Sequence, residues 1–196
     1  MNDVGLRARK MARTRDQIAD AALKLFSERG YEATTLEEVA ERADVHKRTL
    51  LRYFPTKAHL VLHRQYAALE EFRDLMAARG AKPTLDVWQD HVIHHARQVM
   101  QRGAYADMRQ IAGSEPAVGP AYLAIQESYQ ILIAAGLEAD FRDRPDAQIV
   151  SKVAAAALVG GNYAVAQMLF AQGAYADLET TERKVLRMVR EGLLGG

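Results

Sequence analysis

Residues 34–54, TTLEEVAERADVHKRTLLRYF, leave the chain little choice of local structure. Thr35 followed by Glu38 is a capping box: the Thr hydroxyl and the Glu carboxylate each satisfy a backbone donor left free at a helix start. Val39, Ala40 and Ala43 then fall at helical spacing and can face inward, while Glu37, Glu41 and Arg42 stay in water. Ala43-Asp44-Val45 interrupts the pattern, and Asp is a residue type that tolerates the left-handed backbone of a sharp turn. A second helix is expected from His46. Its apolar positions Leu50 and Phe54 are four apart, so Lys47, Arg48 and Arg52 cannot share their face and must point outward.

The flanks brace this unit. Thr14 and Gln17 repeat the capping-box spacing, and Ile18, Ala22, Leu25 and Phe26 form one apolar stripe that stops at Gly30, a good C-cap, so a helix is expected over 15–29. Pro55 ends the helix before it, because the residue preceding proline avoids helical angles. Thr56 can cap a fourth helix, running to about residue 77. Lys57 falls in its first turn, where the macrodipole favours an acid; a phosphate nearby would account for it.

Charge divides the chain. Residues 1–64 hold thirteen Lys and Arg against nine acids, and 65–196 hold thirteen against sixteen, so the overall +1 hides a basic front and an acidic rear. That asymmetry suggests a nucleic-acid face. Arg7, Arg9, Lys10 and Arg13 lie in a stretch without apolar periodicity, read as a basic arm over 1–13 able to neutralise phosphates or enter a minor groove. There is no cysteine, which excludes a disulfide framework and thiolate chemistry. No apolar run suits secretion, and Val153 to Val159 falls far short of the ~20 residues of a membrane span, so a cytoplasmic protein with no membrane partner is expected.

Beyond residue 60 the pattern stays helical. Helices are expected over 85–102, 105–112, 121–141, 146–171 and 177–194, separated by Gly and Pro. In VAAAALVGGNYAVAQMLF, the small residues Ala154, Ala157, Gly161 and Ala164 recur every three or four positions, with Ile149, Val153, Leu158 and Val165 nearby; this reads as a helix-packing face. Val185, Leu186, Val189 and Leu193 give the last helix an apolar stripe that also wants a partner.

The order helix, Gly-Tyr, Thr-Thr, helix, turn, helix, Tyr-Phe-Pro-x-Lys, carried by IADAALKLFSERGYEATTLEEVAERADVHKRTLLRYFPTKAHL, resembles the N-terminal domain of the TetR family of transcriptional regulators. The resemblance implies an all-α fold: a three-helix helix-turn-helix domain over 14–60, then a helical effector-binding and dimerisation domain over 61–196. It implies a homodimeric repressor on a palindromic double-stranded DNA operator, released by a small-molecule effector. Arg48 and Lys47 are the candidates for base edges; His46, Thr49 and Arg52 share their helix; Thr35, Tyr53 and Lys57 suit the backbone. An effector site would draw on Trp88, His91, Met108, Arg109, Tyr122, Gln126, Tyr129, Asn162 and Tyr163. The subunit interface would draw on Val153, Ala157, Gly161, Val165, Leu186, Val189 and Leu193. Three residues depart from the family's habits: Asp44 where Gly is common, His46 where a small hydroxyl often caps, and Leu51 where many place a phosphate-contacting Tyr.

Two other classes follow from the residues. His91, His94 and His95 fall at helical spacings that can converge on a metal, which would make the chain a metal-responsive regulator. An enzyme is not expected, since there is no phosphate-cradling glycine loop and no nucleophile elbow, and no cofactor is called for.

Overall fold

The computed structural model describes residues 3–102 and 115–194, and every regular element among them is helical. The expected helix over 105–112, with the candidate effector residues Met108 and Arg109, lies outside the described residues. The described chain divides into two compact units, one running to Arg64 and joined by residues 115–122, the other built from Gln65 to Arg102 and from Leu123 onward.

In the first unit, α1 (Asp3–Arg29) buries Ile18, Ala22, Leu25 and Phe26, as the stripe requires. It begins earlier than the sequence suggested. Thr14 does not cap it: its hydroxyl donates to the Lys10 carbonyl four residues back (3.0 Å), a bond made inside a helix. The reason is composition, because LRARKMAR is built of strong helix formers and needs no apolar stripe to continue one. Gly30, at φ +90°, ends α1 with its N–H on the Phe26 carbonyl.

Three short helices complete the unit: α2 (Leu36–Arg42), α3 (Lys47–Tyr53) and α4 (Lys57–Val61). The single helix expected over 56–77 is broken at Leu62, and α5 (His63–Ala78) restarts beyond it. Leu60, Val61 and Leu62 are all fully buried, whereas a helix with one apolar face, stepping 100° per residue, would expose one of the three.

The second unit contains most of α5, then α6 (Thr84–Arg102), α7 (Gly119–Asp140, from Leu123 onward), α8 (Ala147–Ala171) and α9 (Leu178–Val189), which continues as a π-turn, Arg190–Leu194. Phe72, Trp88, Ile133, Leu137, Leu158 and Leu186 share one buried core with the small residues of α8. Helix α7 crosses close to the start of α6 at Gly136, where a Cβ would lie 2.5 Å from the Thr84 hydroxyl. Asp140 caps that start: its carboxylate accepts from the Thr84 N–H at 2.7 Å and from Arg79 at 2.7 Å. Burial pushes this carboxyl up, but those bonds win and hold it below its ordinary value.

Helix α9 runs antiparallel to α6, as the ion pairs Arg97–Glu179 (2.8 Å) and Asp86–Arg190 (2.7 Å) show. It packs on α8 where Gly161 meets Val185. By length and composition α8 could cross a membrane, contrary to the short apolar run noted above, because Ala and Gly extend the apolar stretch on both sides of it. Here Ala154, Ala155 and Leu158 are spent on the core of this unit.

Candidate nucleic-acid interface

The α2–turn–α3 element has the construction its residues dictate. Thr35 caps α2 with the reciprocal bonds of a capping box, Glu38 N–H to the Thr hydroxyl (3.2 Å) and Thr35 N–H to the Glu38 carboxylate (2.8 Å). These bonds hold the Glu38 carboxyl below its usual value. Asp44 takes the left-handed conformation at φ +52°, and the Val45 N–H returns to the Ala40 carbonyl at 2.9 Å. The turn is therefore tight. His46 stands at the N-cap of α3 but makes no side-chain cap bond. Leu50 and Phe54 are buried, so α3 is pinned by one face only.

The opposite face carries the charges. His46, Lys47, Arg48 and Arg52 are exposed, and Thr49 and Tyr53 are half-buried. Lys47 is paired with Glu37 across the turn, and that hydrogen bond holds the Glu37 carboxyl below its ordinary value. Arg52 lies over the Tyr53 ring, 5.1 Å from its centre, and Arg15 of α1 reaches the same ring at 6.0 Å. Arg48 has neither an ion pair nor a hydrogen bond among the described residues. A guanidinium so placed, on a helix whose other side is fixed in a core, is available for a bidentate contact with guanine or a phosphate. Leu51 is exposed beside it, where no hydroxyl can contribute.

Lys57 serves a different arrangement from the open cation expected. Its ammonium donates to the carbonyls of Tyr31 (2.8 Å), Thr34 (3.2 Å) and Glu32 (3.3 Å), and lies 4.6 Å from the centre of the Tyr31 ring. It closes the loop between α1 and α2. Thr34, fully buried, supports the same loop by donating to the Gly30 carbonyl at 2.8 Å. Sequence reading missed Glu37, Tyr31 and Thr34 as parts of the site. The opposite charges of Glu37 and Lys47 on either side of the turn were the one available signal.

Residues 18–63 match the family described as "Bacterial regulatory proteins, tetR family". That segment belongs to the TetR family of bacterial regulatory proteins. It is 45% identical over 80 residues to the HTH-type transcriptional regulator TcmR of Streptomyces glaucescens, an alignment covering 41% of this chain and 35% of that protein. It is 40% identical over 85 residues to the HTH-type transcriptional repressor KstR of Mycobacterium tuberculosis, covering 42% and 38%. The chain thus spans little more than a third of the curated relatives it matches. The fold is shared more widely. The fatty acid degradation regulator FadR from Bacillus halodurans superposes with a TM-score of 0.65 at 19% identity, covering 91% of this chain and 98% of that one. SmeT, solved as a complex with triclosan, gives 0.68 at 18% identity, covering 91% and 90%.

The remaining TetR-type candidates lie in different surroundings. Trp88 and His91 are buried, Tyr129 donates to or accepts from His91 Nε2 at 3.1 Å, and Asn162 is buried on α8. Gln126 is half-buried, Tyr163 is exposed, and Tyr122 groups with the first unit. Of the interface candidates, Val153 and Leu193 are exposed, Ala157, Gly161 and Val165 are half-buried, and Leu186 and Val189 are spent on the core of the chain itself. The open apolar surface of α8 and α9 instead centres on Ile149 (68% exposed), Val153 and Met188 (73%). The metal reading fails on geometry. His91 points into the core, His94 is exposed and bonded to Gln98 (2.6 Å), and no group of three metal-binding side chains is brought together among the described residues.

Proposed function

We propose that the protein is a homodimeric repressor that reads a two-fold symmetric operator with α3 of each subunit and is released by a small molecule bound in the second unit. The observation that carries the DNA reading is the unpartnered Arg48 on the outward face of a helix whose inward face is fully committed. One such helix spans only a few base pairs; two at a fixed separation read half-sites spaced by whole turns of the duplex. Support for pairing comes from Ile149, Val153, Ala156, Gly160 and Ala164, which recur on the exposed side of α8 at three- and four-residue steps, next to Met188 on α9. This is the stripe a second copy would cover.

Release follows if the effector binds the spacing of reading heads that does not fit DNA more tightly than the spacing that does. That SmeT binds triclosan is consistent with a ligand in this fold. Sedimentation of the wild type and of Ile149→Glu with Met188→Lys tests the assembly. The wild type should run as a dimer and the variant as a folded monomer with weakened operator binding. A wild-type monomer that binds operator fully would refute it.

A further inference from the structure

The aromatic heart of the second unit is bordered by polar groups with nothing to bond to. The Phe72 ring centre lies 5.3 Å from Trp88, 5.0 Å from His91 and 5.4 Å from Tyr129. In the same unit, both amide atoms of Gln65, both of Asn162, Gln126 Nε2, Trp88 Nε1 and His91 Nδ1 are buried without a hydrogen-bond partner, as are Thr84 Oγ1, Ser151 Oγ and Glu182 Oε2. Gln65 and Asn162 are 6% and 8% exposed. A fold does not normally leave so many desolvated donors and acceptors unmatched, and a cluster of them calls for an explanation.

Gln65, His91, Gln126 and Asn162 lie toward one side of the rings. Met76 of α5 and Thr84 of α6 meet at Gly136 of α7, so the direction away from that crossing leads from Phe72 to Gln65, from Trp88 to His91, and from Tyr129 to Gln126. On α8, Leu169 shares a cluster with Ala96 of α6, so the step from Leu158 to Asn162 follows the step from Trp88 to His91. Four helices therefore carry Gln65, His91, Gln126 and Asn162 to the level of the bundle on that side, whereas the unpartnered hydroxyls of Thr84 and Ser151 lie on the other. None of those four side chains is charged. Burial, with the neighbouring charges of His95 and His94, pulls His91 down to about 3, so its imidazole is neutral. The other buried ionisable group among the described residues of this unit is Glu182, which stands on α9 and is pushed up by burial to about 7.

We propose that this level of the second unit is the binding site for a flat, uncharged ligand bearing an amide-like pair of donor and acceptor, held by Gln65, Gln126 and Asn162 against Trp88 and His91. The proposal rests on the reading that this unit receives an effector, and it fixes the chemical class. Side-chain amides match such a group donor to acceptor and acceptor to donor. A carboxylate or ammonium entering the same place would lose its hydration, and no buried side chain among the described residues of these four helices carries a fixed counter-charge, at a cost that excludes it. Binding would satisfy groups that no other side chain satisfies, which is where the selectivity comes from.

The test uses three probes of one shape, anthraquinone-2-carboxamide, anthraquinone-2-carboxylate and 2-(aminomethyl)anthraquinone as its ammonium form. Trp88 is the sole tryptophan and reports on the site directly. The carboxamide should quench Trp88 fluorescence and raise the melting temperature, with the two charged probes weaker by about tenfold or more. Gln65→Met and Asn162→Leu should each raise the melting temperature of the free protein by removing bare polar atoms, and should weaken the carboxamide about tenfold or more. Absence of quenching by the carboxamide, equal binding of a charged probe, or variants that lose stability yet keep the carboxamide would overturn the proposal. Operator binding is followed separately. A carboxamide that binds as described but leaves the protein on DNA upholds the ligand class and sinks effector release; release by the carboxylate alone does the reverse.

Discussion

Replacing Lys57 with Met keeps the aliphatic stem and removes the ammonium, and the structure sets the size of the loss. Three carbonyls of the α1–α2 loop lose a charged donor, those of Tyr31 and Thr34 in partly buried positions, and the Tyr31 ring loses a cation 4.6 Å from its centre. A hydrogen bond to a charged group contributes about 1.5–3 kcal/mol net, and a cation over an aromatic ring about 0.5–2 kcal/mol. The Lys57 side chain is 23% exposed and water can reach the Glu32 carbonyl, so the sum is discounted to about 2–4 kcal/mol. Urea unfolding followed by circular dichroism should show this loss with an unchanged m-value. At temperatures where the variant remains folded, its preference between operator and unrelated DNA should match the wild type. Unaltered stability together with a uniform loss of DNA affinity would refute the reasoning and return Lys57 to the phosphate contact expected from the sequence.

Two further outcomes follow. Asp44 holds φ +52°, so Asp44→Gly should gain about 0.5–1 kcal/mol and Asp44→Val should lose about 1–2 kcal/mol in the same unfolding assay; the opposite order would mean that the Asp side chain itself secures the turn. Stability should also be nearly level in pH between about 4.5 and 6.5 as far as His91 and Glu182 decide it. His91, depressed to about 3, contributes stability that is present above 6.5 and is lost as pH falls through its folded value; Glu182, raised to about 7, contributes stability that is present below 4.5 and is lost as pH rises through 7. Each acts with a slope of about 1.4 kcal/mol per pH unit within its window. Thermal melts of His91→Gln should lose the acid-side decline and those of Glu182→Gln the decline towards pH 7, and melts indistinguishable from the wild type would contradict both assignments.

The reading element was legible because its signals are local. A capping box, one left-handed residue and two apolar positions four apart decide α2, the turn and α3 without help from the rest of the chain. What failed was decided at longer range or by what the pattern omits. Thr14 sat at capping distance from Gln17, but strong helix formers on its N-terminal side carried α1 back to Asp3. Lys57 appeared open because nothing in its own helix pairs with it; its partners are carbonyls some 25 residues away, which carry no side-chain signature. Leu186 and Val189 formed a stripe that wanted a partner, and the partner proved to be the chain's own α6 and α8. Gln65 was invisible for the opposite reason, since a single polar residue at the start of a long helix reads as solvated until the fold buries it.

If α3 reads base sequence through Arg48, the choice of DNA must show it. Duplexes selected from a random pool by the full-length protein should converge on a two-fold symmetric sequence bound at least about a thousandfold more tightly than unrelated DNA at the same salt. Arg48→Ala should lose about 1–3 kcal/mol of that discrimination at one base pair in each half-site while the variant keeps its melting temperature. Selection that yields no common sequence, or an Arg48→Ala protein that discriminates as well as the wild type, would contradict the account.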